Sequence, residues 1–88
     1  MATPVRKWVE GKVAIAVESD KDQMNKEYKS EGPHVHVYIK GVRTKARIPG
    51  NRENVDAKDY QIAEKLFDKY YYEIKRECEK VVAGCYGD

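Results

Sequence analysis

Eighty-eight residues, of which 41% are hydrophobic and 36% charged, make one small domain over 1–88, with room for a single two-layer core and none for two. The composition is too apolar for a disordered chain, and no apolar run approaches the roughly 20 residues of a membrane helix, so a membrane span is excluded. The formal net charge of +2 hides an uneven distribution, because no Asp or Glu lies between Gly32 and Arg52 while Lys40, Arg43, Lys45, Arg47 and Arg52 all do.

The first stretch, Met1-Ala2-Thr3-Pro4-Val5-Arg6-Lys7, has no apolar region after its charges and does not read as a secretory signal. A cytoplasmic protein is the expectation. Val5 to Val9 reads as a short strand, Glu10-Gly11 as a turn, and Lys12 to Glu18 as a strand whose Val13, Ile15 and Val17 share one face. Trp8 near the turn reads as a cap over one end of the core rather than a ligand platform. Ser19 to Gly32 is polar and reads as a long, mobile connection with a helical turn or two.

Pro33 opens the stretch around which the chain is organised. Taking Gly41-Val42 as the centre of a type II′ turn pairs Tyr38 with Lys45, Val37 with Ala46, His36 with Arg47 and Val35 with Ile48. Alternate residues of a strand point to opposite sides. One side is then Val35, Val37, Ile39, Thr44, Ala46 and Ile48. The other is His36, Tyr38, Lys40, Arg43, Lys45 and Arg47, with His34 at its end, and a slip of one residue would drive these charges into the core.

After a loop from Pro49 to Asn54, Asp56 caps a helix with Asp59 in its first turn. Ile62, Leu66, Phe67, Tyr70, Ile74, Cys78, Val81 and Cys85 recur at helical spacing. They predict one long helix ending near Ala83-Gly84 at a glycine cap. Such a helix, roughly 40 Å long, would overhang strands of about 23 Å. Its apolar stripe would then be covered by the N-terminal strand with Trp8 or by another molecule, which suggests a homodimer through the helix or a protein partner. Cys78 and Cys85, about 10 Å apart on a continuous helix, are too distant to bridge and read as reduced. The fold expected is α+β, an antiparallel sheet of three or four strands in β-β-β-β-α order with a long C-terminal helix on its apolar face.

His34 and His36, two apart on a strand, emerge on one side about 6–7 Å from each other. One reading leaves them as polar residues of a wet face. A metal site would need a third ligand, and the hairpin has no Asp, Glu or Cys, so no metal is assigned. In a third reading the pair supplies a general base and a general acid for cleaving an RNA phosphodiester. Lys45 and Arg47 then neutralise the developing charge, and Tyr38 stacks a base or donates a proton. No phosphate-binding glycine loop or Ser-His-Asp arrangement is present, and no cofactor is implied.

The segment Glu31-Gly32-Pro33-His34-Val35-His36-Val37, followed by Gly41 and Lys45-Ala46-Arg47-Ile48, resembles a bacterial family known as domain of unknown function 4160, which carries a Pro-Pro-His-x-His core after two short strands. Gly32 stands where that family has its first proline. The resemblance runs from about Trp8 to Lys80 and implies a small bacterial or phage protein of the toxin–antitoxin or phage-defence type, with His34 and His36 as signature residues. The function expected is binding of an anionic partner, nucleic acid (RNA more than DNA) or an acidic protein, through Tyr38, Lys40, Arg43, Lys45, Arg47 and Arg52. The alternatives are a metal-independent endoribonuclease using His34 and His36, and an accessory protein that binds through its helix.

Overall fold

Alternating side chains decide which side of a sheet is covered, and here four strands agree. The computed structural model describes residues 3–85, with side chains for all of these but 21–23; Met1 and Ala2 of the N-terminal stretch lie outside it. In chain order the elements are β1 (Pro4–Glu10), β2 (Val13–Glu18), α1 (Lys21–Glu31), β3 (Val35–Ile39), β4 (Val42–Ile48), α2 (Ala57–Lys69) and α3 (Tyr71–Val82). The strands form one antiparallel sheet in the order β1-β2-β3-β4, so the expected α+β layout is present. No helix among the described residues is long and apolar enough to cross a membrane.

The helices cover one face. Trp8, Val13, Ile15, Val17, Val35, Val37, Ala46 and Ile48 from the strands join Met24, Val55, Tyr60, Ala63, Leu66, Phe67, Ile74, Cys78 and Val81 in one core. Trp8 stacks on Tyr70 at 6.2 Å with the Arg6 guanidinium 4.9 Å above its ring, so it serves the core as its size suggests.

Three local expectations are corrected. Ser19 to Gly32 carries more than a helical turn or two: it holds α1, three turns long, whose Met24 enters the core and whose Tyr28 packs against it, an i, i+4 pair on one helical face. The C-terminal helix is interrupted at Tyr70 (φ −109°, ψ 24°), which ends α2 and starts α3. The break lets α3 turn along α1, and Val81, only 2% exposed, is covered within the chain. The overhang that suggested a second molecule is therefore not formed. The hairpin turn is centred on Lys40-Gly41, both at positive φ (52° and 79°), as a type I′ turn requires.

The hairpin register changes with that turn. Ile39 pairs with Val42 and Tyr38 with Arg43, whereas His36 pairs with Arg47 and Val35 with Ile48 as expected. Two extra residues of β4 thus bulge opposite Val37. Thr44 stabilises the bulge by donating from its hydroxyl to the Val37 carbonyl (2.7 Å) while accepting from the Ala46 N–H (3.1 Å). Because the insertion is even, neither strand changes face.

The helix ends follow their sequence signals. Asp56 accepts from the Lys58 N–H at 2.8 Å, and Gly84, at φ 80°, follows α3 where the Cys85 N–H returns to the Lys80 carbonyl. Cys78 is buried and Cys85 exposed, and both are free thiols.

Candidate functional site

The sheet face away from α2 and α3 is organised in rows that cross all four strands. One runs Lys7, Ala16, His36, Arg47, and the next Val9, Ala14, Tyr38, Arg43. Ala14, Ala16 and Tyr38 form a second, smaller buried cluster. Small residues on β2 form its floor, and long side chains from the flanking strands lie over them. Lys7, for example, places its ammonium 4.8 Å over the Tyr38 ring.

Glu18 ends β2 on this face and is only 4% exposed. A buried carboxylate is costly unless it is paired and hydrogen-bonded, and Glu18 is both. Arg43 grips it with two bonds, Nε to Oε2 at 2.7 Å and Nη2 to Oε1 at 2.9 Å, and the Tyr38 hydroxyl donates to Oε2 at 2.7 Å. Burial pushes the Glu18 carboxyl upward, but the bonds from Arg43 and Tyr38 and the nearby His36 outweigh it and hold it below the ordinary 4.5. The same contacts act on the partners. Burial and the Glu18 carboxylate push the Tyr38 phenol up to about 12, and the Glu18 bond raises Arg43 further.

His36 lies in the middle of this network, with Nδ1 3.2 Å from Arg43 Nη2 and Nε2 3.4 Å from Glu18 Oε1. A guanidinium only donates and a carboxylate only accepts, so Nδ1 takes the Arg43 hydrogen and Nε2 carries the proton directed at Glu18. Burial pushes His36 below the ordinary 6.5 in spite of Glu18, and the ring is neutral near pH 7.

His34, 2% exposed, sits just before β3. Its Nδ1 lies 3.1 Å from the Gly32 carbonyl, which can only accept, so Nδ1 is the protonated nitrogen. Nε2 faces Glu27 Oε2 at 3.7 Å. The two imidazoles meet edge to face with centroids 6.1 Å apart, as the strand spacing predicts. Glu27 comes from α1 and is bonded by Arg47 Nη1, which also reaches Glu31 Oε2 at 3.2 Å. The Arg47 backbone is held in turn by reciprocal hydrogen bonds with Asn51 and by the Tyr60 hydroxyl on its carbonyl.

The fold therefore brings His34, His36, Tyr38, Arg43 and Arg47 together, with Lys45 beside them. Lys40 stands at the tip of the hairpin, and Arg52 is exposed in the loop after β4. Tyr38 is buried, and its hydroxyl and one ring face are occupied, so it does not offer the stacking surface expected of it. Two residues that complete the site, Glu18 and Glu27, lie outside the hairpin and were not singled out by sequence reasoning. Their only signals were an acidic residue closing an apolar strand and one lying between Met24 and Tyr28.

Two hollows open here. A cavity of about 60 Å³ is lined by Glu18, Asp20, Met24, Glu27, His34, His36 and Arg43. A shallower groove of about 310 Å³ beside it is lined by Glu27, His36, Arg43, Lys45 and Arg47. No protein-family model, curated protein or solved structure matches the chain.

Proposed function

We propose that the protein binds single-stranded nucleic acid, RNA in the first instance, along the sheet face that carries the groove. The observation that carries this reading is the cation balance of that face. Of its carboxylates, Glu18 is bonded by Arg43, Glu27 and Glu31 share Arg47 and Asp20 lines the cavity, so that these four stand against five cations, of which Lys7, Lys40 and Lys45 have no ion pair among the described residues. The excess positive charge is thus presented outward on a firm frame, as phosphate binding requires.

The aromatic side chain of this face being covered, recognition rests on the phosphate backbone and is weakly dependent on sequence. Three lysines without an ion pair set the scale: contacts to single strands weaken with salt at a logarithmic slope of about −0.7 per phosphate, or about −2 here. Cleavage through His34 and His36 is the weaker reading, because a general base must reach the proton it removes and His34 is almost fully enclosed.

The test is fluorescence anisotropy of a labelled single-stranded RNA over a salt series, with the same RNA examined for cleavage in the presence of a chelator. Salt-sensitive binding without cleavage is expected. Absence of binding even at low salt contradicts the proposal, and cleavage lost in His36→Ala would make the protein an enzyme.

A further inference from the structure

We propose that Glu27, His34 and His36 form a binding site for a divalent transition-metal ion of the zinc class, a function separate from nucleic-acid binding. One donor atom from each residue lies within 4.8 Å of the other two. Two belong to the start of β3 and one to α1, so the fold assembles a set that the hairpin alone lacks. Around an ion held by bonds of about 2.0–2.1 Å, tetrahedral donors stand about 3.3 Å apart. The 3.7 Å between His34 Nε2 and Glu27 Oε2 is already close to that, and side-chain rotations about a small cavity supply the rest.

The tautomer of His34 points the same way. With Nδ1–H committed to the Gly32 carbonyl, Nε2 is the nitrogen left to face the Glu27 carboxylate inside the protein. That nitrogen and the carboxylate oxygen need a proton or a cation between them, the ring's own second proton or a bound ion. A ring N–H bonded to a backbone carbonyl, with the opposite nitrogen left to ligate, is how metal-binding histidines are usually held. His36, unlike His34, has both ring nitrogens engaged, by Glu18 on one and by Arg43 on the other, and ligation replaces one of these contacts.

Arg47 now supplies positive charge to Glu27, and it is the group an ion displaces. Arg47 is 30% exposed at its side chain and keeps Glu31 as a second partner, so it can withdraw toward solvent. Two imidazoles and one carboxylate favour zinc, cobalt or nickel over magnesium or calcium, which prefer all-oxygen sites. Three protein ligands leave a further position open, beside the groove lined by Arg43, Lys45 and Arg47.

The experiment is a titration of the chelator-treated full chain with Co(II), followed by visible absorption and competition with Zn(II) and Mg(II), in the wild type, Glu27→Gln and His36→Gln. Expected is stoichiometric binding with a visible spectrum that lacks thiolate charge transfer, displaced by Zn(II) and unaffected by Mg(II). Affinity should fall at least about tenfold in either variant. Glu27→Gln preserves size, and His36→Gln, nearer the surface, serves if Glu27→Gln fails to fold. Absence of stoichiometric binding overturns the proposal, as does unchanged affinity in a folded variant. A thiolate band, which would place the ion on Cys78 or Cys85, overturns it too.

Discussion

The two faces of the sheet bury side chains by different means, and β2 belongs to both. It is buried along its whole length, yet Val13, Ile15 and Val17 disappear beneath helices, whereas Ala14, Ala16 and Glu18 disappear beneath the long polar side chains of β1, β3 and β4. The helix face gains stability from apolar area removed from water, which tolerates modest changes of shape. The other face is held by a network around one carboxylate, where each group is affordable only because its partner is present. The first face is a core in the ordinary sense, and the second is where ligands find charge and nitrogen donors.

Substitutions separate the two. The largest effect belongs to the helix face: Ile15→Ala, at a fully buried position, is expected to cost about 2–5 kcal/mol in urea unfolding. On the other face Glu18→Gln, which weakens the acceptor that Arg43, Tyr38 and His36 share, should cost about 1–3 kcal/mol. Arg43→Gln should cost at least as much, because it leaves the Glu18 carboxylate, only 4% exposed, without its cation. A loss for Arg43→Gln well below that for Glu18→Gln would mean that the carboxylate finds its compensation elsewhere.

Acid should loosen the second face before the first. His36 is held below its ordinary value of 6.5, so the unfolded chain binds that proton more readily than the folded one. Stability is then complete above 6.5 and falls as pH drops below it. Glu18, held below its ordinary 4.5, adds a loss of the same sign in a lower window. Unfolding followed between about pH 7 and about pH 4 should show a monotonic decline, and Glu18→Gln should flatten its lower part. The smallest effect on stability is expected at the exposed turn: Lys40→Asn, at φ 52° beside Gly41, should stabilise by about a few tenths of a kcal/mol, since asparagine tolerates that conformation better.

Strict alternation made the faces of β2, β3 and β4 legible in the sequence, and the even bulge left them intact. The register between Tyr38 and His36 was not legible, because Lys40-Gly41 and Gly41-Val42 are both plausible two-residue turns and only the Thr44 hydroxyl decides where the extra residues go. The break at Tyr70 has no glycine or proline to announce it, and the same apolar spacing suits a straight or an interrupted helix; its course is set by Trp8 and α1, which are distant in sequence. Half of the site was visible in Pro33-His34-Val35-His36. Glu18 and Glu27 were not, since a carboxylate on a polar segment looks solvated until the fold shows which histidine or arginine it meets.

The central claim, that one face of the sheet presents charge to a phosphate backbone, is tested most directly by reversing charge on each face separately. Anisotropy of one labelled single-stranded RNA would be compared for Lys7→Glu/Lys45→Glu and for Lys65→Glu/Lys75→Glu, the latter at exposed positions of α2 and α3. The two variants have the same net charge. The account predicts that the sheet-face pair weakens binding by about tenfold or more at moderate salt, while the helix-face pair changes it little. Equal losses from both pairs, or a larger loss from the helix pair, would contradict it.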